Sequence, residues 1–171
     1  KIIIILLLLF LTVFAQKQDY EQRQVLIIHS YHKGYPWTEA IQKGAEKIFK
    51  ESQFVIEIAI EYMDSYRLPG IVDDSHFKNY LIKKYKAWNP NIIMVSDNYS
   101  LDFIIRNRKD FFPDLPVVFC GINNLTPQYI SGHKNIIGVA EIPSFYETIK
   151  AALEIHPKVK NIIVLGEDTL T

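Results

Sequence analysis

Val25-Leu26-Ile27-Ile28-His29 runs directly into Ser30-Tyr31-His32-Lys33-Gly34-Tyr35-Pro36-Trp37, a nearly continuous apolar run that ends in a polar and aromatic loop. A strand with one wet face alternates apolar and polar residues, whereas a strand covered on both faces stays apolar throughout. The segment therefore predicts an inner strand of a sheet with helices on both sides. Beyond it, short β-branched runs alternate with longer amphipathic stretches, the pattern that builds a parallel sheet. The fold class expected is α/β, a parallel doubly wound sheet flanked by helices.

The first covering helix starts at Trp37, where Trp37, Ala40, Ile41, Ala45, Ile48 and Phe49 recur at helical spacing. A second strand follows over Phe54 to Ile60. Pro69-Gly70 punctuates the next loop, and Asp73 and Asp74 stand where acidic residues favour a helix start. Phe77, Leu81, Ile82, Tyr85 and Trp88 line one face of that helix before Asn89-Pro90 stops it. The third strand is read over Ile92 to Val95, the third helix over Ser100 to Arg108, the fourth strand over Pro116 to Cys120 and the fifth near Ile136 to Val139. Ser144 and Glu147 have capping-box spacing for a helix reaching His156, and Asn161 to Leu165 reads as a sixth strand.

Ahead of this pattern lies an uncharged apolar run of 14 residues, Ile2 to Ala15, behind Lys1. A helix needs roughly 20 residues to cross the hydrocarbon of a bilayer, so the run is short for a span. A basic residue, an apolar core and Val13-Phe14-Ala15 follow the order of a secretory signal. The expectation is export, with the segment either cleaved after Ala15 or kept as a membrane anchor. Residues 16–24 read as a linker.

The chain carries 19 basic and 19 acidic residues with no basic run, which argues against nucleic acid as a partner. Cys120 is the single cysteine, so no internal disulfide can form and stability rests on the apolar core. No Gly-rich phosphate cradle, no G-x-S-x-G elbow and no H-E-x-x-H pair occurs, which removes the usual signatures of nucleotide binding, serine hydrolysis and zinc proteolysis. No cofactor is expected.

In an open parallel sheet the loops at the carboxyl ends of the strands hold the ligand. Here those loops carry His29 to Trp37, then Ser96-Asp97-Asn98-Tyr99, then Cys120-Gly121-Ile122-Asn123-Asn124. Amides, rings and one carboxylate together suit a small polar or aromatic molecule. Each residue also has a plainer use. Asp97-Asn98 could cap the third helix, Trp37 could be its helix's first core residue, and Cys120 could be a small buried hydrophobe rather than a nucleophile. His29 and His32 could face a metal, but no further cysteine, histidine or carboxylate cluster stands beside them, and structural hydrogen bonding is the simpler role.

The loops Val25 to Tyr31 with Pro36-Trp37-Thr38, Glu61-Tyr62-Met63-Asp64, Val95-Ser96-Asp97-Asn98 and Val117 to Asn124 resemble those of the ABC-transporter substrate-binding-protein family of type I periplasmic-binding fold. The resemblance covers nearly all of the chain after the leader. It implies a first lobe over residues 25–141, a crossover near Val139-Ala140-Glu141, and the start of a second lobe over residues 142–171, with the family's Asp-x-Thr-x-Thr turn at Asp168, Thr169 and Thr171. Such modules occur as free extracytoplasmic receptors that serve an ABC permease and as sensory ectodomains joined to a downstream kinase or cyclase module. The aromatic-rich loops resemble the sensor branch.

The resemblance therefore implies a small-molecule-binding module outside the cytoplasm, not an enzyme, acting by closure of two lobes on the ligand. The expected contacts are Ser30, Tyr31, Trp37, Asp97, Asn98, Gly121, Asn123 and Asn124 from the loops, with Glu141 at the crossover. The alternative from another class is a small α/β enzyme using Cys120 as nucleophile or His29 as base.

Overall fold

The computed structural model describes residues 21–68 and 74–165. The elements run β1 (Gln22–His29), α1 (Pro36–Lys50), β2 (Val55–Tyr62), α2 (Asp74–Tyr85), β3 (Ile92–Ser96), α3 (Asp97–Asn107), β4 (Val117–Asn123), α4 (Pro127–Ile130), β5 (Ile136–Glu141) and α5 (Phe145–Ile155). The five strands form one sheet in the order β2-β1-β3-β4-β5, and every pairing is parallel.

β1 is the inner strand that its apolar run predicts: Val25 to His29 are all buried, and it pairs with β2 on one side and β3 on the other. Because side chains alternate across a strand, Leu26 and Ile28 face away from Ile27 and His29. Leu26 and Ile28 join a core with Leu81 and Tyr85 of α2 and Leu101, Phe103 and Ile104 of α3. On the opposite face His29 meets Gln42 of α1. Helices thus cover both faces, and the chain is an α/β fold around an all-parallel sheet.

Five expectations are corrected in detail. α1 buries Thr38 and Gln42 rather than the whole apolar stripe, and Trp37, Ala40 and Ile48 stay exposed, because the His29–Gln42 contact fixes which way the helix faces. α3 begins at Asp97, directly after β3, and not at Ser100. β4 continues through Gly121 to Asn123 and takes in residues read as a loop. Ser144 stands at the N-cap of α5 without a side-chain capping bond, so the capping box does not close. Residues 161–165 form no strand, and among the described residues no neighbouring strand stands ready to pair with them. Pro69, Gly70, Asp73 and the 168–171 turn lie outside the described residues, as do Ile2 to Ala15; among the described residues no helix is long and apolar enough to cross a membrane.

The β4–β5 register slips between Phe119 and Ile122: Phe119 pairs with Gly138 and Ile122 with Ala140, leaving one extra residue on β4. Gly121, at φ +68°, occupies this bulge. On the partner strand Gly138 lies flat against Phe119, so that a Cβ placed there overlaps both the carbonyl oxygen and the ring of Phe119. Gly138→Ala should therefore cost more than about 2 kcal/mol through overpacking against backbone. The drop in urea midpoint measures it, and an unchanged midpoint would refute this approach of β5 to β4.

Candidate functional site

The chain leaves β1 toward β2 on one side and returns to β3 on the other, so the loops after β1 and β3 part and leave a crevice at the carboxyl edge. Four buried serines hold that edge. The Ser96 carbonyl accepts from the Ser30 amide at 3.2 Å, the Ser30 hydroxyl at 2.7 Å and the Ser100 hydroxyl at 2.5 Å. Ser30 Oγ in turn accepts from the Ser100 amide at 2.9 Å, while the Ser30 carbonyl accepts from both the amide and the hydroxyl of Ser65. The ends of β1 and β3, the first turn of α3 and the loop after β2 are thereby locked together.

His29 completes the lock from the other face. Its Nε2 lies 2.9 Å from Gln42 Oε1 and its Nδ1 2.8 Å from the Ser96 hydroxyl. Gln42 Nε2 donates to Glu46, which orients the amide and assigns the imidazole proton to Nε2. Burial lowers the His29 pKa against the raising effects of Gln42 and Glu39, which favours the neutral ring that this network needs. His29 is thus a positioning residue of the scaffold, with both nitrogens engaged.

The lock delivers Asp97 to the crevice. Asp97 is 2% exposed and stands in the left-handed region at φ +67° as the first residue of α3. Its Oδ1 accepts from Trp37 Nε1 at 2.8 Å, while Oδ2 is buried without a hydrogen-bond partner. Gly121 of the bulge closes on the same spot: a Cβ there would lie 3.1 Å from Asp97 Oδ1 and 3.6 Å from the Trp37 ring. Positive φ and close approach both call for glycine at this position.

A cleft of about 230 Å³ opens over this group, lined by Tyr31, Tyr35, Trp37, Asp97, Asn123 and Glu141. Glu141 reaches it because it is the register partner of Asn123 at the end of β5. Tyr31 packs edge-on to Tyr35 at 5.0 Å between centroids, and Tyr66 stacks on Tyr35 at 5.7 Å. Two larger hollows of about 330 Å³ lie elsewhere, one along α5 alone and one between α1 and β2. Neither gathers buried polar groups from several strand ends, and on chemical grounds the smaller cleft is the candidate site.

Of the residues expected from sequence, Tyr31, Trp37, Asp97, Asn123 and Glu141 line this cleft, and Gly121 shapes its floor. Ser30 is fully buried in the serine lock. Asn98 clamps β4, donating to the Asn123 carbonyl and accepting from the Asn123 amide, both at 3.0 Å. Asn124 is exposed and left-handed at φ +54°, and it does not line the cleft. Tyr35 and Tyr66 belong to the aromatic wall but were not among the expected contacts; for Tyr35 the signal was present in the Tyr31-x-x-x-Tyr35-x-Trp37 spacing. Cys120 is half-buried beside Val95 O, and burial followed by the charge of Asp97 raises its thiol to about 11. Such a thiol stays protonated at neutral pH. Among the described residues no group of three or more His, Cys, Asp or Glu side chains is placed to hold a metal ion.

With this geometry in place, comparison with known proteins adds nothing further: the chain matches no protein-family model, no curated protein and no solved structure.

Burial, the largest cause, and Glu141 push the Asp97 carboxyl up from 3.8 to about 6, while the Trp37 hydrogen bond and the adjoining Ser96 side chain pull the other way. That displacement corresponds to about 3 kcal/mol against ionised Asp97 in the folded chain. The folded protein keeps the proton after the unfolded chain has released it, so this contribution to stability is lost as pH rises from 3.8 through about 6. Asp97→Asn retains an acceptor for Trp37 without the charge. Its stability relative to the parent should grow from near zero at about pH 4 to roughly 1–3 kcal/mol above pH 6, measured by urea unfolding across that range. A difference that does not change with pH would mean that Asp97 ionises in the fold without penalty.

Proposed function

We propose that this chain forms the first lobe of an extracytoplasmic small-molecule-binding module of periplasmic-binding type I architecture, with α5 opening a second lobe that closes over the cleft. The observation that carries the reading is the convergence of Tyr31, Trp37, Asp97, Asn123 and Glu141 from four different strand ends on one cleft at the point where the strand order reverses. Rings supply apolar area and the amide and carboxylates fix orientation, the usual division of labour in a ligand site.

Support for a two-lobed arrangement comes from the far end of the described chain. Phe145, Tyr146 and Ile155 of α5 and Ile163, Val164 and Leu165 beyond it are all strongly exposed. Large apolar side chains exposed in such number favour a face that a further body covers. Ligand would shift the population toward the closed pair of lobes, either to present cargo to an ABC permease or to signal to a module across the membrane. A binding role is also favoured over an enzymatic one by the protonated Cys120 thiol and by His29, whose nitrogens are both bonded inside the scaffold.

The test is a thermal-shift screen of the full-length protein against a metabolite library, where a ligand at a hundred times its Kd adds about 2.7 kcal/mol of stability. Trp37→Ala and Asn123→Ala should each weaken the ligand so found by at least about tenfold. A ligand whose affinity ignores both changes would place binding elsewhere, and a library with no stabilising member would sink the reading.

A further inference from the structure

We infer that the molecule received by this cleft carries a protonated nitrogen, held by Asp97 and Glu141 between the faces of Tyr31, Tyr35 and Trp37. The inference rests on the binding-module reading above and deepens it by naming the ligand's charge.

Four observations lead there. The first is the buried oxygen: Asp97 lines the cleft, and its Oδ2 is buried without a hydrogen-bond partner, although a carboxylate offers about four acceptor sites. The second is the balance of charge, since the lining contains two carboxylates and no lysine or arginine. An anion would face two like charges, and a neutral donor would satisfy Oδ2 but leave the buried charge uncompensated. The third is the wall of rings, whose electron-rich faces attract a cation once water is displaced.

The fourth is the identity of residue 97 itself. A structural role at a left-handed strand-to-helix junction, accepting from Trp37 and fitting over Gly121, is open to asparagine as well. Asparagine would do so without burying a charge. Only the carboxylate adds something that a structural role does not use, a negative charge in the wall of the cleft. Asn123, whose backbone Asn98 clamps, also lines the cleft, and its side-chain amide would orient the same group.

The experiment titrates the full-length protein with two matched sets of probes and follows Trp fluorescence and heat: 2-phenylethylamine, 2-phenylethanol and 3-phenylpropionate, then butylamine, butanol and butyrate. In at least one set the amine should bind at least about tenfold more tightly than its alcohol and its acid. Asp97→Asn should weaken the amine at least about tenfold more than it weakens the alcohol, with the melting temperature no lower. Glu141→Gln, at an exposed position, should weaken the amine by a smaller factor. Alcohol or acid binding as tightly as the amine in both sets overturns the inference, as does an Asp97→Asn loss shared equally by the alcohol. Silence from both amines up to about 10 mM overturns it too. The binding-module reading fails separately, on a library with no stabilising member, so the two failures can be told apart.

Discussion

Three hydrogen atoms point at one carbonyl oxygen, that of Ser96, and much of the molecule is organised by that convergence. A buried backbone carbonyl must be satisfied, and in a finished sheet a neighbouring strand does this. Here β1 and β3 both end at this level, so the next residues supply the donors: Ser30 from its amide and hydroxyl, Ser100 from one turn into α3. A serine hydroxyl suits this role because it is short and donates directly to a nearby backbone carbonyl. The result is that the first turn of α3 is tied to the sheet before any apolar packing of Leu101, Phe103 or Ile104 is counted. Ser30 also holds Ser65, so the loop after β2 is indexed to the same point.

Asp97 can occupy its position because of this tie. A non-glycine residue in the left-handed region and a desolvated carboxylate are both unfavourable, and they persist where the surroundings over-determine them. The serine lock fixes the residues on either side of Asp97, and Trp37 fixes the carboxylate from across the crevice. Left-handed residues recur at the same edge, with Asp64 after β2, Gly121 in the β4 bulge and Asn124 after β4. Others, such as Asn89 and Asn135, serve ordinary turns away from it. The apolar layer has a left-handed residue of its own, Phe112 at φ +42°, packed against the core that α2 and α3 share, but at the cleft edge such residues stand at three separate strand ends.

The sheet was legible in the sequence because its signal is compositional: Val25 to Ile28 is apolar throughout, and only a strand covered on both faces tolerates that. The loops that carry the cleft were legible for a topological reason, since parallel strands put all their carboxyl ends on one edge. What could not be read is whatever depends on geometry between elements. The facing of α1 is decided by a polar pair, His29 and Gln42, against the pull of an apolar stripe that contains Trp37 and Ile48. The extension of β4 through Gly121 depends on a bulge matched to β5, where glycine otherwise reads as a strand end. Ser30 and Asn98 looked like ligand contacts because small polar residues at strand ends serve scaffold and site alike; only partners tell them apart, and theirs are backbone groups.

The same distinction separates the two ends of the described chain. Apart from the exposed stripe of α1, the apolar side chains from β1 to β4 gather in one core across the sheet, so local sequence and packing agree there. From β5 onward they part company: Ile137 and Val139 of β5 and the apolar residues of α5 stay exposed, although α5 is helical and amphipathic in pattern. A helix of this length draws most of its stability from the face that it buries. Among the described residues nothing packs on the apolar face of α5, and β5 presents its own exposed residues beside it in sequence. Glu141 stands between the two, at the end of β5 and at the rim of the cleft. On the proposed reading, a body that covered α5 and β5 would meet the candidate cleft through Glu141, and the two carboxylates, Asp97 and Glu141, would then approach one bound cation from two sides.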